Sequence, residues 1–197
     1  MSGKQREILI GLTLGDGYLT PFCGNSRKSS LEMKADQKEF GYLKWLRNEL
    51  NSLGVSALKK RKDNHQYRFV TRRHESIGKL RKLFYRNGKK TVPNNISKYL
   101  KSPLTLAIWY QDDGTLDLRR LYHNNALIAT HCFSFNNCEL LAQALKTNFN
   151  LDVRVCRCLM RGKLYYRLYI TSKSMACFVA LIKPYIHPCF AYKIRSS

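Results

Sequence analysis

Two aspartates carry the most pointed chemical signal in this 197-residue sequence. Asp16 ends the run Ile8-Leu9-Ile10-Gly11-Leu12-Thr13-Leu14-Gly15-Asp16-Gly17. Asp113 ends Leu104-Thr105-Leu106-Ala107-Ile108-Trp109-Tyr110-Gln111-Asp112-Asp113-Gly114, 97 positions on (16 to 113). One apolar run closing in Asp-Gly is the ordinary end of a core helix. Two of them predict equivalent helices that bury their apolar faces against each other, with Gly11 and Gly15 allowing close backbone approach. Their far ends would then bring Asp16 and Asp113 together across a pseudo-two-fold axis. Carboxylates held close repel and call for cations. One carboxylate per side suits Mg2+, which keeps waters and takes phosphate oxygens, with Mn2+ or Ca2+ as substitutes for binding. A metal pair about 3.5–4 Å apart stabilises both the attacking and leaving oxygens of phosphodiester hydrolysis. The carbonyls of Gly15 and Asp112, just before each acid, are candidate backbone ligands. The Asp112 side chain is either a metal neighbour or a helix-end cap, and the cap is the favoured reading.

The elements that must hold these acids repeat at the same long period. In the first half, residues 30–37 alternate as a strand and 38–53 form an amphipathic helix with Phe40, Leu43, Leu46 and Leu50 on one face. A hairpin follows over 57–72, turning at Asp63-Asn64, and a helix over 75–85 closes the half. In the second half the strand covers 126–133 and the helix 136–149, bearing Leu140, Leu141, Ala144 and Leu145. The hairpin runs over 153–171, turning at Arg161-Gly162, and the last helix over 174–185. Short strands after each Asp-Gly (18–23 and 115–119) complete αββαββα twice. The class is therefore α+β: subdomains at 1–92 and 103–197, joined by a linker at 93–102. Ser102 and Pro103 read as N-cap and first residue of the second motif helix, and Ser2 with Gln5 as a capping box for the first.

Charge narrows the partner. Lys plus Arg number 35 against 13 Asp plus Glu, a formal +22. So much self-repulsion in a chain that is 44% hydrophobic, with a core to build, points to a polyanion. The basic residues are spread along the whole chain, which favours nucleic acid over a membrane surface. No apolar run is long enough to cross a bilayer, and the N-terminus lacks a signal-peptide core. Seven cysteines with irregular spacing and no Cys-x-x-Cys argue against zinc and for a reducing compartment, a mitochondrion or chloroplast if the chain is organelle-encoded. Cys156 and Cys158 are expected to face the core.

The nine residues Leu9 to Gly17 and the nine from Leu106 to Gly114 resemble the motif of the LAGLIDADG homing endonucleases. Two copies in one chain resemble that family's monomeric members. The stretches Asn87-Gly88-Lys89-Lys90-Thr91-Val92-Pro93-Asn94-Asn95 and Leu181-Ile182-Lys183-Pro184-Tyr185, with Tyr192-Lys193, are most similar to its intron-encoded yeast mitochondrial members. The resemblance implies paired αββαββα subdomains, each with a four-stranded antiparallel sheet, forming a saddle over the DNA major groove with the motif helices at its centre. It implies that Asp16 and Asp113 bind divalent metal and that Lys90 and Lys193 act beside them on water or phosphorane charge. It also implies that Gln37, with His131 as its counterpart, orders water. One departure stands out: Ile108 and Asp112 occupy positions that are Gly and Ala in the motif, so the two helices cannot pack symmetrically.

A two-stranded ribbon fits the major groove. In the first half Arg27, Lys28, Glu32, Lys34, Lys59, Arg61, Arg68 and Arg72 are candidate double-stranded DNA contacts. In the second, Tyr165, Arg167 and Tyr169 point outward while Tyr166, Leu168 and Ile170 point to the core, and Arg157 and Arg161 join the outward set. Retention of both acids favours cleavage of a long asymmetric site by a monomer. An RNA maturase, which helps its own intron fold, and a DNA-binding regulator are the competing functions, and neither needs paired metal carboxylates.

Overall fold

Both motif helices begin where local chemistry says they should. In the computed structural model, which describes residues 1–61, 66–120 and 123–194, α1 (Gly3–Leu14) starts at a reciprocal Ser2–Gln5 capping box. Helix α4 (Pro103–Asp113) starts with Ser102 Oγ accepting from the Leu104 amide and proline at its first position. Both caps supply acceptors for otherwise orphaned amides. From residue 8 to 14 of α1 and 104 to 111 of α4 every residue is buried. Neither helix is amphipathic, because each is enclosed on all sides: by the other, by its own sheet and by its own flanking helices.

Around α1 lie β1 (Tyr18–Leu19), β2 (Leu31–Ala35), α2 (Phe40–Glu49), β3 (Lys59–Lys60), β4 (Tyr67–Val70) and α3 (Glu75–Phe84). Around α4 lie β7 (Gly114–Arg120), β8 (His123–Ala129), α5 (Phe135–Phe149), β9 (Val153–Met160), β10 (Lys163–Ile170) and α6 (Ser172–Ile182). Between them runs a small ribbon, β5 (Tyr85–Arg86) with β6 (Lys89–Lys90). The expected αββαββα order appears twice. Each half has a four-stranded antiparallel sheet in the same order, β1-β2-β4-β3 and β7-β8-β10-β9.

Core faces follow strand parity. Leu31, Met33 and Phe69 of the first sheet and Ala126, Ile128, Leu168 and Ile170 of the second are at most 1% exposed. The helices supply the other side of each core, with Leu43, Leu46 and Leu50 from the first half and Leu141, Ala144 and Leu145 from the second. Segment 93–102 also packs: Ile96 and Leu100 are buried, and Asn148 Nδ2 donates to the Ser97 and Leu100 carbonyls at 2.8 and 2.6 Å.

Several boundaries differ from expectation. The strand expected at 18–23 is only two residues long, and its last residue is also held from outside the sheet, by Tyr85 and by Arg81 of α3. The Leu19 amide donates to Tyr85 Oη at 3.2 Å, and the Arg81 guanidinium takes the Leu19 carbonyl. The helix expected at 38–53 is α2 flanked by 3-10 turns at Gln37–Glu39 and Asn51–Leu53. The apex of the first hairpin, Asp63-Asn64, lies outside the described residues. In the second hairpin Arg161 (φ 50°) and Gly162 (φ 73°) form the expected two-residue turn. Positive φ at both positions matches the right-handed twist of the flanking strands.

Candidate active site at the ends of the paired helices

The two motif helices are packed by complementing each other's differences. A Cβ on Gly11 would stand 2.7 Å from the Ile108 Cβ, and one on Gly15 would overlap the Asp112 side chain. The bulky residues of α4 therefore fill the hollows left by the glycines of α1. The asymmetry expected from the motif departures is real, and it is how the helices approach at all.

Polar ties hold the pair at both ends. At the N-terminal end Ser102 Oγ donates to Glu7 Oε2 at 2.8 Å and Thr105 Oγ1 to the Glu7 carbonyl at 3.1 Å. At the C-terminal end Asp112 Oδ2 accepts the Asp16 amide at 3.0 Å, and Asp112 Oδ1 accepts the Tyr42 hydroxyl at 3.2 Å. Asp112 does not act as a helix cap: its carboxylate accepts the amide of Asp16, beyond the Gly15 C-cap of α1, and so locks the backbone there. Burial first, then the charge of Asp16, pushes the Asp112 pKa well above the usual carboxylate range. Burial and Asp112 together raise that of Tyr42.

Asp16 is exposed and Asp113 half-buried. Burial and the negative charge of Asp16 push the Asp113 pKa up to about 7, against the opposing pull of Lys90 and Lys193. The Trp109 indole N–H, one turn back on α4, is buried without a hydrogen-bond partner of normal geometry. Two carboxylates in each other's field, one resisting ionisation, form a donor set that a divalent cation would complete. Among the described residues no three or more His, Cys, Asp or Glu side chains form a closed metal cage. An open site with one carboxylate from each helix suits Mg2+ better than zinc. The residues present therefore fit the metal.

Both lysines arrive at the helix ends. Lys90 donates to the Gly15 carbonyl and Lys193 to the Gln111 carbonyl, the latter at 2.6 Å. A cation there favourably meets the negative pole of the helix. Burial lowers the pKa of both lysines, partly offset by nearby acidic groups: Cys132, Asp113, Asp112 and Asp16 for Lys90, and Asp112, Glu39, Asp113 and Asp16 for Lys193. Lys90 is delivered by the β5–β6 ribbon, whose turn is Asn87 (φ 49°) and Gly88 (φ 76°). Asn-Gly is a strong hairpin signal, and it lies just ahead of the 93–102 linking segment. Lys193 is delivered by a 3-10 turn, Pro188–Lys193, clamped to α4. Gln111 accepts from the His187 amide at 2.7 Å and donates to the Tyr185 carbonyl at 3.3 Å, while Tyr110 Oη donates to the Lys193 carbonyl at 2.9 Å. Tyr42 and Gln111 were not singled out in the sequence, since an isolated polar residue in an apolar run carries no local sign of its partner.

The remaining expectations divide. Gln37 is exposed, two residues past the end of β2, and His131 stands at the same offset past β8. Neither hydrogen-bonds Asp16 or Asp113 among the described residues, and the His131 ring packs edge-on to Tyr165 at 5.4 Å. The Gly15 carbonyl, expected to be free for metal, is the acceptor of Lys90. On the first sheet, Lys34 pairs with Arg68, which pairs with Lys59, so the three share the face away from the helices. Glu32, Arg61 and Arg72 share its parity, with Arg72 folded over Gly54. Arg27 and Lys28 are not on a strand but on the β1–β2 loop, where the Arg27 carbonyl lies against Gly78 of α3. On the second sheet Tyr165, Arg167 and Tyr169 face away from the helices as expected, with Arg161 exposed at the turn. Arg157 does not join them: it pairs with Tyr166 and so lies on the helix side. Cys156 and Cys158 pair with Arg167 and Tyr165 and face outward, not to the core. Arg154, paired with Tyr169, takes the place expected for Arg157, as the parity of 154 and 156 would have told.

The cytochrome b mRNA maturase bI2 of Debaryomyces hansenii is 32% identical over 201 residues, 97% of this chain and 73% of that protein. The DNA endonuclease I-ChuI of Chlamydomonas applanata is 28% identical over 212 residues, 98% of this chain and 95% of that one. Among solved structures, the homing endonuclease I-WcaI bound to its DNA recognition sequence superposes with a TM-score of 0.85 at 26% identity, covering 100% of this chain and 88% of that chain. Residues 6–178 match the sequence profile of the LAGLIDADG DNA endonuclease family. With paired motif helices, two matching sheets and that match, the chain belongs to the LAGLIDADG DNA endonuclease family.

Proposed function

We propose that this protein is a site-specific homing endonuclease that hydrolyses both strands of a long, asymmetric DNA site with divalent metal, acting as a monomer. The observation that carries this reading is that Asp16 and Asp113 close the two packed motif helices, with Lys90 and Lys193 anchored on carbonyls at those same ends. Asp16 and Asp113 would hold Mg2+, which supplies Lewis-acid charge for the attacking and leaving oxygens. Asp112 and Tyr42 keep the Asp16 backbone in register with α4. Lys90 and Lys193, anchored on helix-end carbonyls, present positive charge where phosphate negative charge grows. The outward faces of the two sheets bind the duplex on either side. DNA-bound I-WcaI, alike in fold over the whole chain, supports the choice of partner.

A second reading is favoured by one observation: the 32%-identical Debaryomyces protein is named a maturase. Both readings are tested by incubating the full chain and Mg2+ with an intron-free copy of its host gene. Site-specific double-strand breaks that vanish in the Asp16→Asn and Asp113→Asn proteins support the endonuclease. Undiminished cutting by those variants would overturn the catalytic assignment. Absence of cutting together with restored intron splicing would transfer the function to RNA.

A further inference from the structure

The outward faces of the two sheets differ in chemistry, and strand register decides how. Across the first sheet Lys34, Arg68 and Lys59 form one charged row. Glu32 braces it, with Lys34 Nζ at 3.0 Å and Arg68 Nη1 at 3.8 Å. Across the second sheet the rows are Ala129–Arg167–Cys156, then Tyr165–Cys158, then Lys163–Met160 at the hairpin tip, with Thr115–Leu127–Tyr169–Arg154 and the polar pair Asp117–Asn125 on the other side. Methyl, sulfur and ring surface dominates the middle of this face, and Met160 is 39% exposed. Among the described side chains, Arg167 brings a guanidinium into that surface, its Nε buried without a partner. Arg154 and Lys163, exposed, flank it from the two ends.

We propose that the two half-sites differ in base chemistry: the first sheet reads guanine edges, and the second reads thymine methyls around one guanine opposite Arg167. This rests on the DNA endonuclease reading above. Guanine offers N7 and O6 acceptors in the major groove, the match for lysine and arginine, whereas the thymine C5-methyl is the apolar feature of that groove. Cys156, Cys158, Tyr165 and Met160 exclude water from whatever they cover. A thymine methyl is stabilised there, while a guanine or cytosine edge would be desolvated with little to bond to. Glu32 holds the Lys34 and Arg68 head groups over the first half-site, which lowers the entropy lost when they bond a base. Arg154 and Lys163, at the margins of the apolar field, are placed for phosphate, where most protein–DNA hydrogen bonds go.

The test begins with selection of bound sites from a randomised duplex pool by the full chain in Ca2+. Parallel selections with Arg68→Ala and Arg167→Ala, each of which relaxes the half it touches, assign the two half-sites. The unaltered protein is then given synthetic duplexes. Deoxyuridine in place of thymidine removes only the C5-methyl, and 7-deazaguanine removes the N7 acceptor. Uracil is expected to weaken binding about fourfold per methyl in the half relaxed by Arg167→Ala, and less than about twofold in the other half. The 7-deazaguanine change is expected to act most strongly in the half relaxed by Arg68→Ala. Uracil that costs nothing in the second half, or as much in the first, overturns this inference while leaving the endonuclease standing. A pool that enriches no DNA sequence, with no cleavage of any duplex, overturns the endonuclease reading and this one with it.

Discussion

The two halves share an element order and a sheet order yet solve the same packing problem in opposite ways. Helix α1 presents glycines at the interface, and α4 presents Ile108 and Asp112 at the equivalent places. The two faces are complementary: the space above Gly11 is taken by Ile108 and that above Gly15 by Asp112, whereas two α4 faces would set these larger side chains against each other. Duplication within one chain frees each copy to specialise, and complementarity replaces symmetry. The difference reaches the lysines. Helix α1 stops at Leu14 and leaves the Gly15 carbonyl for Lys90. Helix α4 runs on through Asp113, and Lys193 finds the carbonyl of Gln111 instead. Equivalent chemistry is thus supported on non-equivalent backbone.

Exchange of residues between the halves puts that comparison at risk. The largest effect should come from the acids: Asp16→Asn and Asp113→Asn each reduce single-turnover cleavage on the order of a thousandfold, with DNA binding in Ca2+ retained in a gel-shift assay. One variant cutting far better than the other would show that the halves differ in chemistry as well as in packing. Lys90→Ala and Lys193→Ala should each lower the cleavage rate by roughly ten- to a hundredfold, measured the same way. Gly11→Ala should cost about 1–3 kcal/mol by overpacking against Ile108. Adding Ile108→Ala should recover part of that loss in a double-mutant cycle followed by urea unfolding. Additive losses would mean that the two residues do not share one hollow.

Protonation gives a further handle. The native Asp113 pKa lies about 7, above an unfolded value of about 3.9, so between these values the folded state binds more protons than the unfolded. Stability therefore falls as pH rises through that window, and the charged form is the costly one. Without metal, Asp113→Asn should raise the melting temperature at pH 8 by the equivalent of about 1–3 kcal/mol, discounted for partial exposure. The gain should shrink steadily towards pH 4. Mg2+ should narrow the gap at pH 8 by stabilising only the parent. The smallest effect concerns the surfaces. With about ten phosphates neutralised, log K should fall against log salt with a slope of about −9, and Lys34→Ala should reduce it by about one.

Local signals were readable wherever backbone chemistry alone decides the outcome. The caps at Ser2 and Ser102, the Arg161-Gly162 turn and the apolar periodicity of α2 and α5 all appear where the sequence places them. Asn87-Gly88 is an equally local turn signal, and the ribbon that carries Lys90 is built on it. The faces of Cys156, Arg157 and Cys158 differ from expectation because strand parity, not residue composition, sets which side each takes. The sheet had already assigned its inward side through Leu168 and Ile170, and the partner strand had to follow. The role of Asp112 could not be chosen from spacing, since its two partners, Tyr42 and the Asp16 amide, are 70 and 96 positions away.

The amino-acid sequence by itself determined the duplicated architecture, the two acids and the basic surface. Each of these depends on patterns within one helix, one hairpin or one repeat, where near neighbours set the energetics. Only the tertiary structure decided which carbonyl each lysine takes, which donors the Asp112 carboxylate accepts and which residues share a sheet face. Those outcomes depend on contacts between segments distant in the chain, and burial and close packing leave room for one arrangement among the many that local preference allows.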